Sequence, residues 1–201
     1  MSLVSAVEVP RRPVSLLEPI IGEARYRQLA GAADQVRHML PAKPSGASIR
    51  PRWAAGSAEM LQALVGYVTD PGIPIGWLVI TGDAPFFATT KRLHNQIHGD
   101  LAGGPLDAAE AHHYTRMLTA NAVELLGRIR PGDVALLHDL QTAGLAEPLA
   151  RAGARVVWRC HIGVDWENDA TRAGWDFLRP HLTSAEGMCS RAGIRVGLVP
   201  R

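Results

Sequence analysis

Three short apolar runs, at Trp77–Thr81, Val134–Leu137 and Arg155–Cys160, each stop on polar side chains, and helical spacing intervenes between them. That alternation is the tightest constraint on the fold. A strand that is apolar at nearly every residue must be covered on both faces, and a strand–helix–strand order achieves this with a parallel sheet between two layers of helices. The residues therefore predict an α/β, doubly wound, Rossmann-like chain. Its 201 residues suit one domain, which would bury about 70% of the unfolded surface on folding.

Helical spacing covers Leu16–Leu40, Glu59–Tyr67, Ala84–His98, Gln141–Ala152 and Thr171–Leu178. Asp107 and Glu110 form a capping box at the head of a further long helix, whose apolar stripe is Tyr114, Met117, Leu118 and Leu125. Residues 1–14, with Pro10, Arg11, Arg12 and Pro13, read as a loose tail. Pro41–Arg52 reads as a linker, because its prolines and basic residues do not suit a central strand.

Charge narrows the partners. With 21 Lys and Arg against 19 Asp and Glu the net charge is +2, which argues against nucleic acid or an anionic membrane and favours a small polar or neutral ligand. Cys160 and Cys189 are the only cysteines, and the N-terminus lacks a charged start followed by an apolar core, so a reduced cytoplasm is expected. No apolar run approaches the roughly 20 residues of a membrane span.

The polar residues that end the runs are Gly82-Asp83, then His138-Asp139 with Gln141, then Arg159-Cys160-His161. In a parallel sheet these ends share one edge, where a ligand crevice opens. Ordinary loop residues and capping aspartates are the plain alternative. Alternation along the third run sends Val157, Arg159 and His161 one way and Trp158 and Cys160 the other. Cys160 and His161 are thus not expected to act as nucleophile and base, and Cys160 reads as a buried structural thiol. Arg159 needs an anionic or carbonyl partner, for which Asp139 and Asp83 are candidates.

His94 and His98 in "HNQIH" have the spacing of a zinc protease pair, but Asn95 stands where that motif needs a glutamate. His112 and His113 would complete a ligand set only by chance geometry, so no metal is expected. Neither G-x-G-x-x-G nor G-x-x-x-x-G-K-[ST] occurs, which weakens dinucleotide and nucleotide-triphosphatase readings. Trp166, in the loop after His161, is placed to stack on a pyranose face, while the other tryptophans read as core or rim.

The strings "GDAPFFATTKRLHNQIHG", "LLHDLQTAGL" and "VVWRCHIGVDWENDATRAGWDFLRP" resemble the N-terminal domain of trehalose synthases that use a nucleotide-activated glucose, over roughly residues 56–186. These are retaining glycosyltransferases of the GT-B fold, close to trehalose phosphorylases. The resemblance implies an enzyme that transfers glucose to free glucose with retention, without a cofactor, its N-terminal domain holding the acceptor. Carried over by position, it puts Asp83, Lys91, His94 and Asn95 on the acceptor side. His138, Asp139 and Gln141 match the family's His-Asp-Pro-Gln apart from Leu140, Arg159 and His161 match its Arg-Cys-His, and Asp165 follows in the next loop. His161 and Asp139 take the catalytic roles and the others bind substrate. The implied partners are glucose and a nucleotide-glucose, with self-association left open.

Two departures stand beside these matches. The family has an apolar strand and a triple-glycine loop, a donor-phosphate site, where this chain reads "PSGASIRPRWAAGS", leaving only a degenerate Gly56. After Glu186 the family continues into a second domain, whereas this chain reads "GMCSRAGIRVGLVPR". The expected organisation is an N-terminal helix and linker over 1–43, an acceptor-side Rossmann-like domain over 44–186 with 44–57 aberrant, and an aberrant tail over 187–201 without the donor domain. Such a truncated chain is expected to be inactive alone, and a trehalose phosphorylase-type enzyme, an inactive sugar-binding module or a gene remnant are the other readings. One hypothesis covers both departures, a shift of reading frame. With each codon taken from the last base of one residue and the first two of the next, codon degeneracy allows 44–57 to be read as Val-Trp-Arg-Val-Asn-Ser-Thr-Ala-Val-Gly-Gly-Gly-Val and 187–193 as Tyr-Val-Phe-Ser-Arg-Arg. The coding DNA should therefore carry an open, family-like reading in that frame; a stop codon there sinks the explanation.

Overall fold

Trp77, Leu78, Val79 and Ile80 are all buried, as are Leu137, Trp158 and Cys160, because each belongs to a strand covered by neighbours. The computed structural model of the protein describes residues 2–39, 46–51, 64–73, 75–100 and 102–190. Six strands, β1 (Val4–Val7), β2 (Gly46–Pro51), β3 (Ile75–Ile80), β4 (Val134–His138), β5 (Arg155–Cys160) and β6 (Gly187–Ser190), form one sheet in the order β1-β3-β2-β4-β5-β6. β1 is antiparallel to β3 and every other pairing is parallel. The helices are α1 (Glu18–Ile21), α2 (Glu23–Met39), α3 (64–69), α4 (Ala84–Ile97), α5 (Ala108–Leu126), α6 (Ala146–Arg151) and α7 (Asp169–Leu182). None among the described residues is long and apolar enough to cross a membrane.

Strand alternation divides the core. On one face Leu78, Ile80, Leu137, Val156 and Trp158 pack against Phe86 and Leu93 of α4, Tyr114 and Leu118 of α5 and Leu178 of α7. Trp77 alternates to the other face, where it shares a cavity wall with Val65 of α3. Both halves of the capping box at Asp107 and Glu110 are present, so α5 starts where the spacing places it. α7 runs from Asp169 to Leu182, longer than the spacing suggests, because Asn168 and Thr171 supply a second capping box.

Several expectations need correction. Residues 1–14 are not simply a tail, since β1 pairs along β3 and Val4 is 1% exposed. Four residues are too few to show a period, and what secures them is remote in sequence: Glu124 of α5 accepts from Leu3 N at 2.7 Å, Val4 N at 3.0 Å and Ser2 Oγ at 2.6 Å. The helix expected over Leu16–Leu40 breaks at Gly22, whose φ of 80° is open to glycine and separates α1 from α2. The segment Gln141–Ala152 divides into a 3₁₀ stretch, Leu140–Leu145, and α6.

The largest correction concerns the linker. Gly46–Pro51 is a central strand, paired with β3 over its whole length and with β4 through Ile49. Pro51, which lacks an N–H, thus falls where β2 has one partner instead of two, and that position tolerates it. Composition misled here because a central strand is held by backbone pairing on both sides. The rest of the 44–57 stretch, Gly56 included, lies outside the described residues. Of the segment expected to be an aberrant tail, Gly187–Ser190 forms β6 on β5, and 191–201 lie outside the described residues.

The three bonds that Glu124 accepts, led by that from Leu3 N, hold its carboxyl below the usual value. A depressed carboxyl pKa contributes to the folded state above the unfolded value, and the contribution is lost as pH falls through the folded one. Glu124→Gln at neutral pH, and acidification of the unaltered chain, should each speed amide hydrogen exchange over Val4–Val7 selectively. Unchanged protection there would show that Glu124 does not pin the strand.

Candidate functional site

Parallel pairing brings the ends of β3, β4 and β5 to one edge of the sheet. Beyond β3 the chain turns through Gly82, where an added Cβ would meet Phe86 Cδ1 at 2.3 Å. The next residue, Asp83, is the N-cap of α4, with extended backbone and its Oδ1 accepting from Phe86 N at 2.9 Å. Along α4, Ala84, Phe87, Lys91 and His94 recur at three- and four-residue intervals and so share a face. That face, with Asp83 and Gln141, lines a cleft of about 500 Å³.

Four of the expected positions, Asp83, Lys91, His94 and Gln141, therefore meet in one cavity. Oε1 of Gln141 is buried and has no hydrogen-bond partner among the described residues. A buried acceptor left unmatched costs about 1–3 kcal/mol, and a ligand donor reaches this oxygen only if the Gln141 side chain turns toward the cleft. His94 is held below the usual imidazole value by burial first, then by Lys91 and His98, with Asp139 opposing.

The floor beside the cleft comes from β4 and β5. Asp139 has φ 64° and ψ −179°, a backbone region that L residues rarely adopt. Several bonds keep it there. Its N–H donates to Arg159 O at 2.8 Å, its carbonyl accepts from Trp158 Nε1 at 2.9 Å and Thr142 N at 3.1 Å, and its Oδ1 accepts from His161 N at 2.8 Å. His138 Nδ1 lies 3.0 Å from His161 Nε2, the rings stacked at 5.3 Å and 19°. One of these two nitrogens must donate and the other accept, so the pair holds one proton between them. Burial lowers His161 below the usual value, Asp139 raises it, and Arg159 lowers it.

The remaining expected positions sit elsewhere. His138 is 1% exposed, and neither it nor Asp139 nor His161 is among the residues that line the cleft. Asn95 is one residue beyond His94, hence about 100° round the helix, and does not line it either. Arg159 is half-buried, and its carbonyl accepts from Asp139 N at 2.8 Å. Asp165 is exposed in the loop after β5. In that loop Trp166, 55% exposed, rests on Gly99, where an added Cβ would meet Cη2 at 2.1 Å. Cys160 is 1% exposed, and burial pushes its thiol up to about 12, as a structural thiol requires. Among the described residues no cluster of three or more His, Cys, Asp or Glu has metal-binding geometry.

Sequence reasoning missed His113, whose Nε2 lies 2.8 Å from Asp83 Oδ1 across 30 residues of chain. Its only local signal is the spacing to Arg116, one helical turn later on α5.

Comparison with known proteins places this geometry. A family model described as trehalose synthase, N-terminal domain, matches residues 52–192. A trehalose synthase of Rubrobacter xylanophilus is 35% identical over 138 residues, 65% of this chain and 30% of the relative. One of Pyrococcus horikoshii is 28% identical over 169 residues, 84% of this chain and 38% of the relative. The chain thus spans about a third of the length of these curated relatives. Among solved structures, an alpha,alpha-trehalose-phosphate synthase (UDP-forming) from Burkholderia xenovorans in complex with glucose-6-phosphate aligns with TM-score 0.53 and 19% identity, over 71% of this chain and 39% of that one. Its counterpart from Burkholderia vietnamiensis gives 0.52 and 14%, over 71% and 38%. At such identities the likeness establishes the fold, a Rossmann-like lobe of GT-B type.

Burial leads the lowering of His94, His161 and His181 alike. A folded value below the unfolded one means that the unfolded chain takes the proton first. These rings' contribution is then complete above about pH 6.5 and lost as pH falls below it. The melting temperature should decline on acidification through that window, and less steeply in a His94→Gln/His161→Gln chain. An equally steep decline would assign the loss to other groups.

Proposed function

The chain belongs to the trehalose synthase N-terminal domain family, and from that premise we propose that its cleft is the acceptor site of a glucosyltransferase that joins nucleotide-activated glucose to free glucose, with retention, to make trehalose. The observation that carries this reading is the convergence of Asp83, Lys91, His94 and Gln141 on one cavity at the carboxyl edge of the sheet. Carboxylate, ammonium, imidazole and amide groups match the alternating donors and acceptors of sugar hydroxyls.

In the reaction the bond between the donor's anomeric carbon and its phosphate oxygen breaks, and a bond from that carbon to the acceptor's anomeric oxygen forms. The acceptor's proton leaves with the departing phosphate. Positive charge builds on the anomeric carbon in between. Asp139 and His161 contribute by electrostatics: a carboxylate fixed by the His161 N–H is already oriented when the charge develops, so it needs little reorganisation. No covalent nucleophile is required. Lys91 and Arg159 are cations of this edge that suit a phosphate, and His138 holds the His161 ring. Most of the grip on the nucleotide would come from sequence corresponding to the rest of the relatives' length.

Calorimetric titration with glucose and trehalose tests the acceptor site. The unaltered chain should bind hexose, and Asp83→Asn or His161→Ala should weaken binding by about tenfold or more, the scale of one hydrogen bond to a charged group. Absence of hexose binding by the unaltered chain overturns the reading. Incubation with glucose and a panel of nucleotide-glucoses, with NMR of the product, tests transfer. Binding without product leaves a sugar-binding module, and turnover that needs inorganic phosphate instead indicates the phosphorylase reaction.

A further inference from the structure

Asp83 offers two carboxylate oxygens, and the structure treats them differently. Oδ1 accepts both from Phe86 N at 2.9 Å and from His113 Nε2 at 2.8 Å. No bond from another described residue reaches Oδ2, although Asp83's own backbone N–H also bears on the carboxyl, and Asp83 is 43% exposed and lines the cleft. One oxygen is saturated by the protein and the other is open to a ligand.

The His113 contact is directional because of a third residue. Arg116 Nη2 lies 2.8 Å from His113 Nδ1. A guanidinium has no acceptor, so Nδ1 must be the accepting nitrogen and the proton must sit on Nε2, facing Asp83. An imidazolium would set two donors against each other at that distance. His113 is 18% exposed, so the ring is largely shielded from competing water. Arg116 thus selects the tautomer, His113 donates, and Asp83 Oδ1 receives.

We propose that His113 is a positioning residue of the acceptor site: with its tautomer set by Arg116, it holds Asp83 Oδ1 so that Oδ2 stays presented to the cleft to accept a sugar hydroxyl. This rests on the acceptor-site reading. The N-cap bond alone leaves the carboxylate able to rotate, whereas two donors on the same oxygen fix its plane. Burial pushes the Asp83 carboxyl up, and the bonds from His113 and Phe86 outweigh it, so the group stays below the usual value.

The test uses the full 201-residue chain, with His113→Leu, His113→Gln and Arg116→Met, and two readouts. These are the Asp83 carboxyl titration followed by carbon NMR, and glucose affinity by calorimetry. His113→Leu keeps bulk but has no donor; it should raise the Asp83 pKa and weaken glucose about tenfold, the scale of a charge-assisted bond. His113→Gln, whose amide N–H reaches a similar point, should restore both, and Arg116→Met should move both in the direction of His113→Leu by less. An unchanged Asp83 titration in His113→Leu overturns the relay whatever the sugar does. Unchanged glucose affinity in His113→Leu, where Asp83→Asn weakens it, overturns the positioning role. A shifted titration in a chain that takes up no hexose sustains the relay and overturns the acceptor-site reading instead.

Discussion

The parallel pairing of β2 with both β3 and β4 is the constraint on which the cleft depends. It sets Ile49 level with Leu78 on one side and with Leu137 on the other, so the strands that lead to Asp83 and to His138 end at the same edge. β5 continues the register, with His138 opposite Arg159. A slip of one residue anywhere in this set would turn core side chains to the other face, exchanging Leu137 for its neighbours and swinging His138 and Asp139 away from His161. The strand ends that carry the site therefore meet through backbone hydrogen bonds before any side-chain contact refines them.

Where the sheet stops, local strain takes over. The backbone of Asp139 costs of order 1–3 kcal/mol in that conformation, and the bonds to Arg159 O, Trp158 Nε1 and Thr142 N offset it. The buried indole of Trp158 is thus both core and clamp, with its ring packed under the sheet and its N–H holding the carbonyl of a strained residue. What the strain achieves is reach: the side chain just beyond β4 meets the backbone just beyond β5, at His161. Core packing and site geometry are coupled through that one indole.

Much of this arrangement is legible in the residues. Apolar runs ending at Asp83, His138 and Cys160 announce a parallel sheet with a polar edge, and the Asp107–Glu110 box marks where α5 begins. The alternation along β5 correctly separates Arg159 from Trp158 and Cys160, since Trp158 and Cys160 are buried and Arg159 is half-buried. Contacts made across long loops leave no local pattern. Glu124 fastening β1, His113 reaching Asp83 and His138 stacking on His161 each join residues that are neighbours only after folding. Asn95 shows the converse: motif matching carried it along with His94, although helical rotation puts adjacent residues on different faces. The proline in Gly46–Pro51 concealed a central strand because its missing N–H argues against pairing on both sides, whereas Pro51 sits at the strand end, where only β3 pairs with it.

The contrast between the two thiols carries a practical meaning. Cys160 is sealed in the core with its proton held tightly, so alkylating reagents, which attack thiolate, pass it by. Cys189, partly accessible on β6, stands beside Arg159 in the register and on the same side of the sheet. The natural chain thus offers one selective attachment point for a fluorophore or spin label, one strand away from the polar edge, with no cysteine to engineer in or out.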